Sequence, residues 1–413
     1  MLPHTHTVRG LLFGALMSFL VPLAGCGLGP AAGLFFFSPA TFDALRVQEL
    51  MLGGNSERAV ATRVTLPALN ELLGAAGDPN NLPPVQTQLI VLDLAGGTAR
   101  ALDVRSDLFS AQPATDGNIA AWVSHTRRGG GSVFVVDLLT GETTQYVEGL
   151  VVDGVLLFEP IAVDGQHVVL SGFADGALGS RLAVLDLNTG EVALTPRDDD
   201  SDIDSVFDGV LRWPNLITLQ AAHLPDGSDP NSFAGPPTFA LVQIDLTTGA
   251  RNVLLDNLAS SASALKLEGS HVLWIETTYD RQRGATSNLQ DYDLDTAALT
   301  TLISFTTPPQ ARESMDSEFI SDYSRAGVII ERSEMTGPME FERSTRFVGL
   351  DGATTELFTA RLGLAAGAMT AVQPILVGGK VVWKSPNSDA YNVLDVSTQQ
   401  VQAIAPPAAV ANP

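Results

Sequence analysis

VFVVDLLTGETTQY (133–146) decides the fold. Four apolar residues in a short run lead to Asp137-Leu138, then Thr140-Gly141, then a second short segment rich in threonine. A strand-length apolar run, a turn containing glycine and a second β-prone run read as a hairpin, and the run is too short for a helix. The pattern returns as LIVLDLAGGTARAL (89–102), LAVLDLNTGEVALT (182–195), LVQIDLTTGARNVL (241–254) and LQDYDLDTAALTTL (289–302). Looser copies are RFVGLDGATTELF (346–358) and YNVLDVSTQQVQAI (391–404), which makes seven, with 44 to 59 residues between successive aspartate marks.

A second element precedes most copies: an acidic or small residue, glycine, then an apolar strand, as in DGNIAAW (116–122), DGQHVVL (164–170), EGSHVLW (268–274) and GGKVVW (378–383). All four tryptophans, Trp122, Trp213, Trp274 and Trp383, stand four or five residues after such a glycine and are expected in the core. With a further short apolar piece before the glycine, each unit holds four strands. Four-stranded units repeating at this period are blades. The expected fold is all-β: a β-propeller of four-stranded antiparallel blades over 42–405, with seven blades, six and eight being the alternatives. The segment 120–146 resembles the repeats of TolB-like propellers. That resemblance implies the architecture and carries no partner or activity with it.

The repeat assigns structural work to residues that would otherwise invite a chemical reading. Asp137, Asp186, Asp245 and Asp293 share one position before a turn, where a carboxylate accepts backbone N–H groups. Gly141, Gly190 and Gly249 supply the positive φ that a tight hairpin needs. His167 and His271 fall at matching turn positions. In an antiparallel blade the first–second and third–fourth strand turns share one face, and these are the tight ones. The opposite face gathers the longer segments 124–132, 221–237, 277–288 and 333–345 and the crossings 196–205 and 304–318, and binding is expected there. The candidate binding residues on that face are Arg127, Arg128, Asp280, Arg281 and Arg283.

The amino terminus reads as an export signal over 1–25. Its apolar run 11–21 rises only about 16 Å as a helix, short of a bilayer core of ~30 Å. Cys26 is the only cysteine in 413 residues and follows Leu23-Ala24-Gly25. This stretch resembles the lipobox of bacterial lipoproteins. The resemblance implies that the Cys26 thiol receives a diacylglycerol, that the chain is cut before it, and that the new terminus is acylated. Residues 26–41 are then the lipidated cysteine and its tether. A single acyl chain holds only marginally, so the three chains of that family suit stable anchoring. In that family Asp after the cysteine signals inner-membrane retention, so the resemblance, with Gly27 in that place, implies the outer membrane. Residues 406–413, rich in Pro and Ala, are expected to form a disordered tail.

Composition excludes several classes. A formal net charge of −23 opposes nucleic-acid binding, which needs a positive surface. Asp198, Asp200 and Asp202 have the first three spacings of an EF-hand loop, but Ile203 and Gly209 stand where that loop needs glycine and a bidentate glutamate, so only a looser calcium site is open. No G-x-S-x-G, H-E-x-x-H or Walker motif occurs, and no thiol follows Cys26. The expectation is a lipid-anchored envelope propeller acting as a non-catalytic interaction module for a protein or envelope polymer. The alternative is an envelope hydrolase or lyase with its site at the propeller mouth. No other cofactor is implied.

Overall fold

The computed structural model describes residues 47–65, 86–104, 113–126, 130–174, 180–196, 209–221, 239–258, 265–280, 284–307, 317–337, 340–363, 373–386 and 388–407. It is a ring of seven antiparallel blades. Blade 1 is β1 (Val47–Gly54), β2 (Arg58–Thr65), β3 (Gln86–Asp93) and β4 (Thr98–Val104). Blade 2 is β5 (Ala114–Thr115), β6 (Ile119–Thr126), β7 (Gly130–Asp137) and β8 (Thr143–Tyr146). Blade 3 has an added inner strand: β9 (Val151–Val152), β10 (Val155–Val163), β11 (His167–Ala174), β12 (Ser180–Asp186) and β13 (Val192–Leu194). Blade 4 is β14 (Gly209–Arg212), β15 (Asn215–Ala221), β16 (Phe239–Asp245) and β17 (Arg251–Leu258). Blade 5 is β18 (Lys266–Glu268), β19 (His271–Asp280), β20 (Gly284–Asp293) and β21 (Ala298–Thr307). Blade 6 is β22 (Ser317–Ser324), β23 (Gly327–Gly337), β24 (Glu340–Gly349) and β25 (Thr354–Gly363). Blade 7 is β26 (Ile375–Val377), β27 (Lys380–Lys384), β28 (Tyr391–Asp395) and β29 (Gln400–Ile404).

The period-two alternation of the strands builds the core. Along β19, Val272 and Trp274 pack towards blade 4, while Leu273 and Ile275 pack towards blade 6. Every blade therefore buries both faces, and among the described residues seven apolar clusters fill the seven seams between neighbours. Among the described residues no strand of blade 7 or blade 1 is lent to the other, and the last seam joins them through side chains.

The repeated aspartates do what their position implies. The Asp137 carboxylate accepts the N–H groups of Leu139 and Thr140, at 2.7 and 2.8 Å. Asp93, Asp186, Asp245 and Asp395 each bind their own turn in the same way, and Asp293 accepts the Asp295 N–H together with the Thr296 hydroxyl. Four residues past the aspartate the backbone is left-handed: Gly97, Gly141, Gly190 and Gly249 have φ of 65°, 80°, 76° and 76°. Ala297 and Gln399 hold the same place with φ of 56° and 57°.

Trp122, Trp274 and Trp383 are core residues, but Trp213 is not, and it remains 40% exposed. The ladder explains the difference. After each turn aspartate the next backbone N–H bonds a carbonyl at the start of the blade's second strand: Asn118, Ser270 and Gly379 in the blades with core tryptophans, and Pro214 in blade 4. The core tryptophans lie four residues beyond that carbonyl, a place that Thr218 fills in blade 4, fully buried. Trp213 instead precedes it, in the turn between β14 and β15. The glycine before Trp213, Gly209, opens an inner strand and belongs to no turn.

Segments 277–288 and 333–345, expected as irregular, are mostly strand. β19 runs to Asp280 and β20 starts at Gly284, while β23 and β24 are separated only by 338–339. The segment 124–132 likewise keeps β6 to Thr126 and β7 from Gly130. Their Thr and Ser residues pair across the ladder, as Thr277 Oγ1 does with Ser287 Oγ at 2.9 Å, so polar composition there marks an exposed hairpin. In the crossing 304–318, β21 continues to Thr307 and β22 begins at Ser317.

Candidate functional site

The inner strands of all seven blades surround a central cavity of about 1520 Å³. Among the described residues its charged lining is six carboxylates, Asp116, Glu159, Asp164, Glu268, Glu318 and Asp322, against one lysine, Lys266. Topology sets their depth. Glu318 lies at the start of β22, on the face that carries the longer connections. Glu159, Lys266 and Asp322 lie further in, and Asp116, Asp164 and Glu268 stand at the tight-turn end.

Most of these groups are committed. Lys266 Nζ is 2.6 Å from Asp322 Oδ1 and also donates to the Leu376 carbonyl at 3.2 Å. Asp322 Oδ2 accepts the Leu376 N–H at 2.6 Å, so one partly buried ion pair ties blades 5, 6 and 7 at the channel wall. Glu318 pairs with Arg346 at 2.6 Å. Asp116 accepts the N–H groups of Asn118 and Ile119, and Asp164 those of Gln166 and His167. Glu268 accepts the Arg325 N–H at 3.2 Å, yet burial, helped by the neighbouring Asp291 charge, raises its pKa above the ordinary carboxylate range. Asp291 itself binds His271 Nδ1 at 2.8 Å and Arg325 Nε at 3.2 Å.

Glu159 differs. It sits in β10 between two register shifts, where bulges re-aim side chains. It is half-buried in the channel wall, makes no hydrogen bond or ion pair among the described residues, and burial raises its pKa. Of the channel carboxylates it is the one left to meet a ligand.

The mouth is asymmetric. The strands β19 to β21 and β23 to β25 have ten or eleven residues each, against five in β27 to β29. All blades share the level of their tight turns, so the extra length of blades 5 and 6 rises on the mouth side. These upper strands are polar: Gln290 Nε2 donates to Glu276 Oε2 at 3.0 Å, and Arg343 pairs with the fully buried Glu331.

Of the residues singled out from the sequence, Asp280 is placed as the last residue of β19, opposite Gly284 in the ladder. Cys26, Arg127, Arg128, Asp198, Asp200, Asp202, Arg281 and Arg283 lie outside the described residues, as do the whole of 1–46 and 408–413. Among the described residues no three His, Cys, Asp or Glu side chains gather in a way that could hold a metal ion. The channel carboxylates escaped sequence reasoning because they come singly or in pairs from the inner strands and first turns of blades 2, 3, 5 and 6, scattered between residues 116 and 322. A signal did exist: Asp116, Asp164 and Glu268 are the acidic residues before the repeated glycine.

No protein-family model and no curated protein sequence matches the chain. Among solved structures, the acylaminoacyl peptidase of Pyrococcus horikoshii is similar with a TM-score of 0.51 and 10% identity, over 89% of this chain and 54% of that one. The β-propeller domain of the Trilobed protease from Pyrococcus furiosus gives 0.47 at 10% identity, over 87% of this chain and 98% of that one. TolB from Acinetobacter baumannii gives 0.39 at 14% identity, over 80% and 84%. At such identities the likeness is one of fold.

Proposed function

We propose that this protein is a lipid-anchored module of the bacterial cell envelope, held at the outer membrane through Cys26, whose propeller engages a protein or envelope-polymer partner at the channel mouth without catalysing a reaction. The observation that carries the reading is the acidic channel opening beneath the raised polar edges of blades 5 and 6. A cationic segment of the partner suits it, since six carboxylates face a single lysine.

Topology supports the arrangement. Each inner strand runs from the mouth to the tight-turn face, so the chain enters β1 on the mouth side. The twenty residues 27–46 reach at most about 70 Å when extended, which keeps the mouth within that distance of an anchor at Cys26. The test is a crosslinking pull-down of the full chain from its native membranes, beside Cys26→Ser and Glu159→Gln. Specific capture that needs both the anchor and the Glu159 carboxylate is expected. Capture indifferent to Glu159→Gln would refute the role given to the channel.

One observation favours the alternative, an envelope hydrolase or lyase at the same mouth. Glu159 is a carboxyl held towards its protonated form in a large cavity, which is how a general acid is prepared. Turnover of an envelope glycan or peptide that is lost in Glu159→Gln would decide for it.

A further inference from the structure

The turn that carries Trp213 lies at the opposite end of the propeller from the mouth and plays no part in the reading above. Trp213 is 40% exposed, whereas Trp122, Trp274 and Trp383 are 1%, 0% and 4% exposed. Its indole is held in place. It lies flat on the His167 imidazole, with centroids 3.6 Å apart and planes within 4°. His167 is held in turn by Asp164, whose two carboxylate oxygens are 3.2 and 3.3 Å from Nδ1 and whose Oδ1 also accepts the His167 N–H at 2.8 Å. The imidazole covers one face of the indole, so the exposed area lies on the other face and the edges. The residue before it, Arg212, reaches from the end of β14 to Asp295 in the β20–β21 turn, 3.1 Å away, and both side chains are well exposed. Turns of three successive blades thus present a fixed apolar plate next to a solvent-facing donor and acceptor.

We propose that Trp213 is the platform of a carbohydrate subsite, taking a neutral glycan chain. A pyranose has an apolar C–H face and a rim of hydroxyls. The first matches an indole face, whose burial is favourable, and the second matches the guanidinium of Arg212 and the carboxylate of Asp295. Charge selects among ligands. A cation over the ring would meet Arg212 beside it, and His167 behind it when protonated. An anion would meet Asp164, Asp295 and a chain of net charge −23. A neutral polyol meets neither penalty. Because the indole is already immobilised by His167, little side-chain entropy is lost on binding.

The experiment uses the full chain and three soluble probes: cellohexaose, chitohexaose and maltohexaose. With three of four tryptophans buried, acrylamide-quenchable emission reports Trp213. At least one hexasaccharide is expected to shield that emission, and Arg212→Ala and Asp295→Ala are each expected to weaken its binding about tenfold, the loss of one charged hydrogen bond. Trp213→Ala is expected to abolish retardation in an affinity gel containing the corresponding polysaccharide. The two exposed-site variants keep the test valid should Trp213→Ala fail to fold. If none of the three sugars shields Trp213, or if retardation survives Trp213→Ala, the subsite is refuted.

Discussion

The seam that closes the ring depends on one buried carboxylate. The Glu49 side chain is 2% exposed and meets Arg63 Nε at 2.5 Å, Lys384 Nζ at 3.2 Å and the Tyr391 hydroxyl at 2.7 Å. Arg63 belongs to blade 1, and Lys384 and Tyr391 to blade 7, so Glu49 fastens the first blade to the last, which share no strand among the described residues. Burial and the Glu49 charge hold the Tyr391 phenol protonated, as a donor, well above the pH at which tyrosine ordinarily ionises. Glu49→Ala leaves two cations facing each other with side chains only 20% and 17% exposed. Removing one partner of a buried pair costs about 3–5 kcal/mol, and the residual access of water to Arg63 and Lys384 points to the lower end. Tyr391→Phe, which loses one hydrogen bond to a charged acceptor, should cost about 1.5–3 kcal/mol. For a domain of this size each kcal/mol moves the melting midpoint by roughly 1–2 °C. Repeat folds are stabilised by nearest neighbours, so the damage should begin at this seam. Urea unfolding gives the magnitude, and native-state hydrogen exchange should show β1 and β26 to β29 losing protection ahead of β14 to β17. A Glu49→Ala protein within about 0.5 kcal/mol of wild type, with exchange unchanged at the seam, would refute the reasoning.

Other positions give sharper single readings. Ala297 occupies the left-handed position that glycine fills in four other turns, so Ala297→Gly should raise stability by about 1 kcal/mol in urea unfolding, while a decrease would show that the backbone there is not strained. Asp93, Asp137, Asp245, Asp293 and Asp395 all have lowered pKa values, the first two chiefly through turn N–H groups and the others chiefly through turn hydroxyls. Because the folded-state values lie below the unfolded ones, this stabilisation is fully present above about pH 4 and is lost as pH falls through the folded values; urea midpoints measured from pH 7 to pH 2 should fall steeply at the acid end, less so in Asp137→Asn. Glu159 has the opposite sign: burial raises its folded pKa, so its charge disfavours the fold at neutral pH. Glu159→Gln should therefore raise the urea midpoint at pH 7 and lose that advantage near pH 4, where the wild-type carboxyl is protonated too.

The seven hairpins were legible because each is local: an apolar run, an aspartate and a left-handed residue within ten positions specify strand, turn and strand without help from the rest of the chain. The same locality made the turn roles of Asp137 and Asp245 readable. Trp213 was misread because spacing from a glycine does not distinguish a turn glycine from one that opens an inner strand, and only the ladder bond from Leu246 to Pro214 fixes the register. The threonines of 277–288 looked like loop because exposed strands and loops share polar composition, and cross-strand partners cannot be seen from one strand. The channel carboxylates were the least accessible, since Glu159 and Glu318 become neighbours of one cavity only after the ring closes. Strand β9 was missed for a similar reason: a two-residue strand has no periodicity of its own.

The choice of the mouth as the working face is tested most directly by site-specific photocrosslinking in native membranes. A photoreactive residue at Thr278 or Met335, on the raised ends of β19 and β23, is compared with one at Leu139 or Leu350 in tight turns of the other face. A discrete product from the mouth positions alone, lost when Glu159→Gln is added, is the expected result. Products from Leu139 and Leu350 with none from Thr278 and Met335 would contradict it.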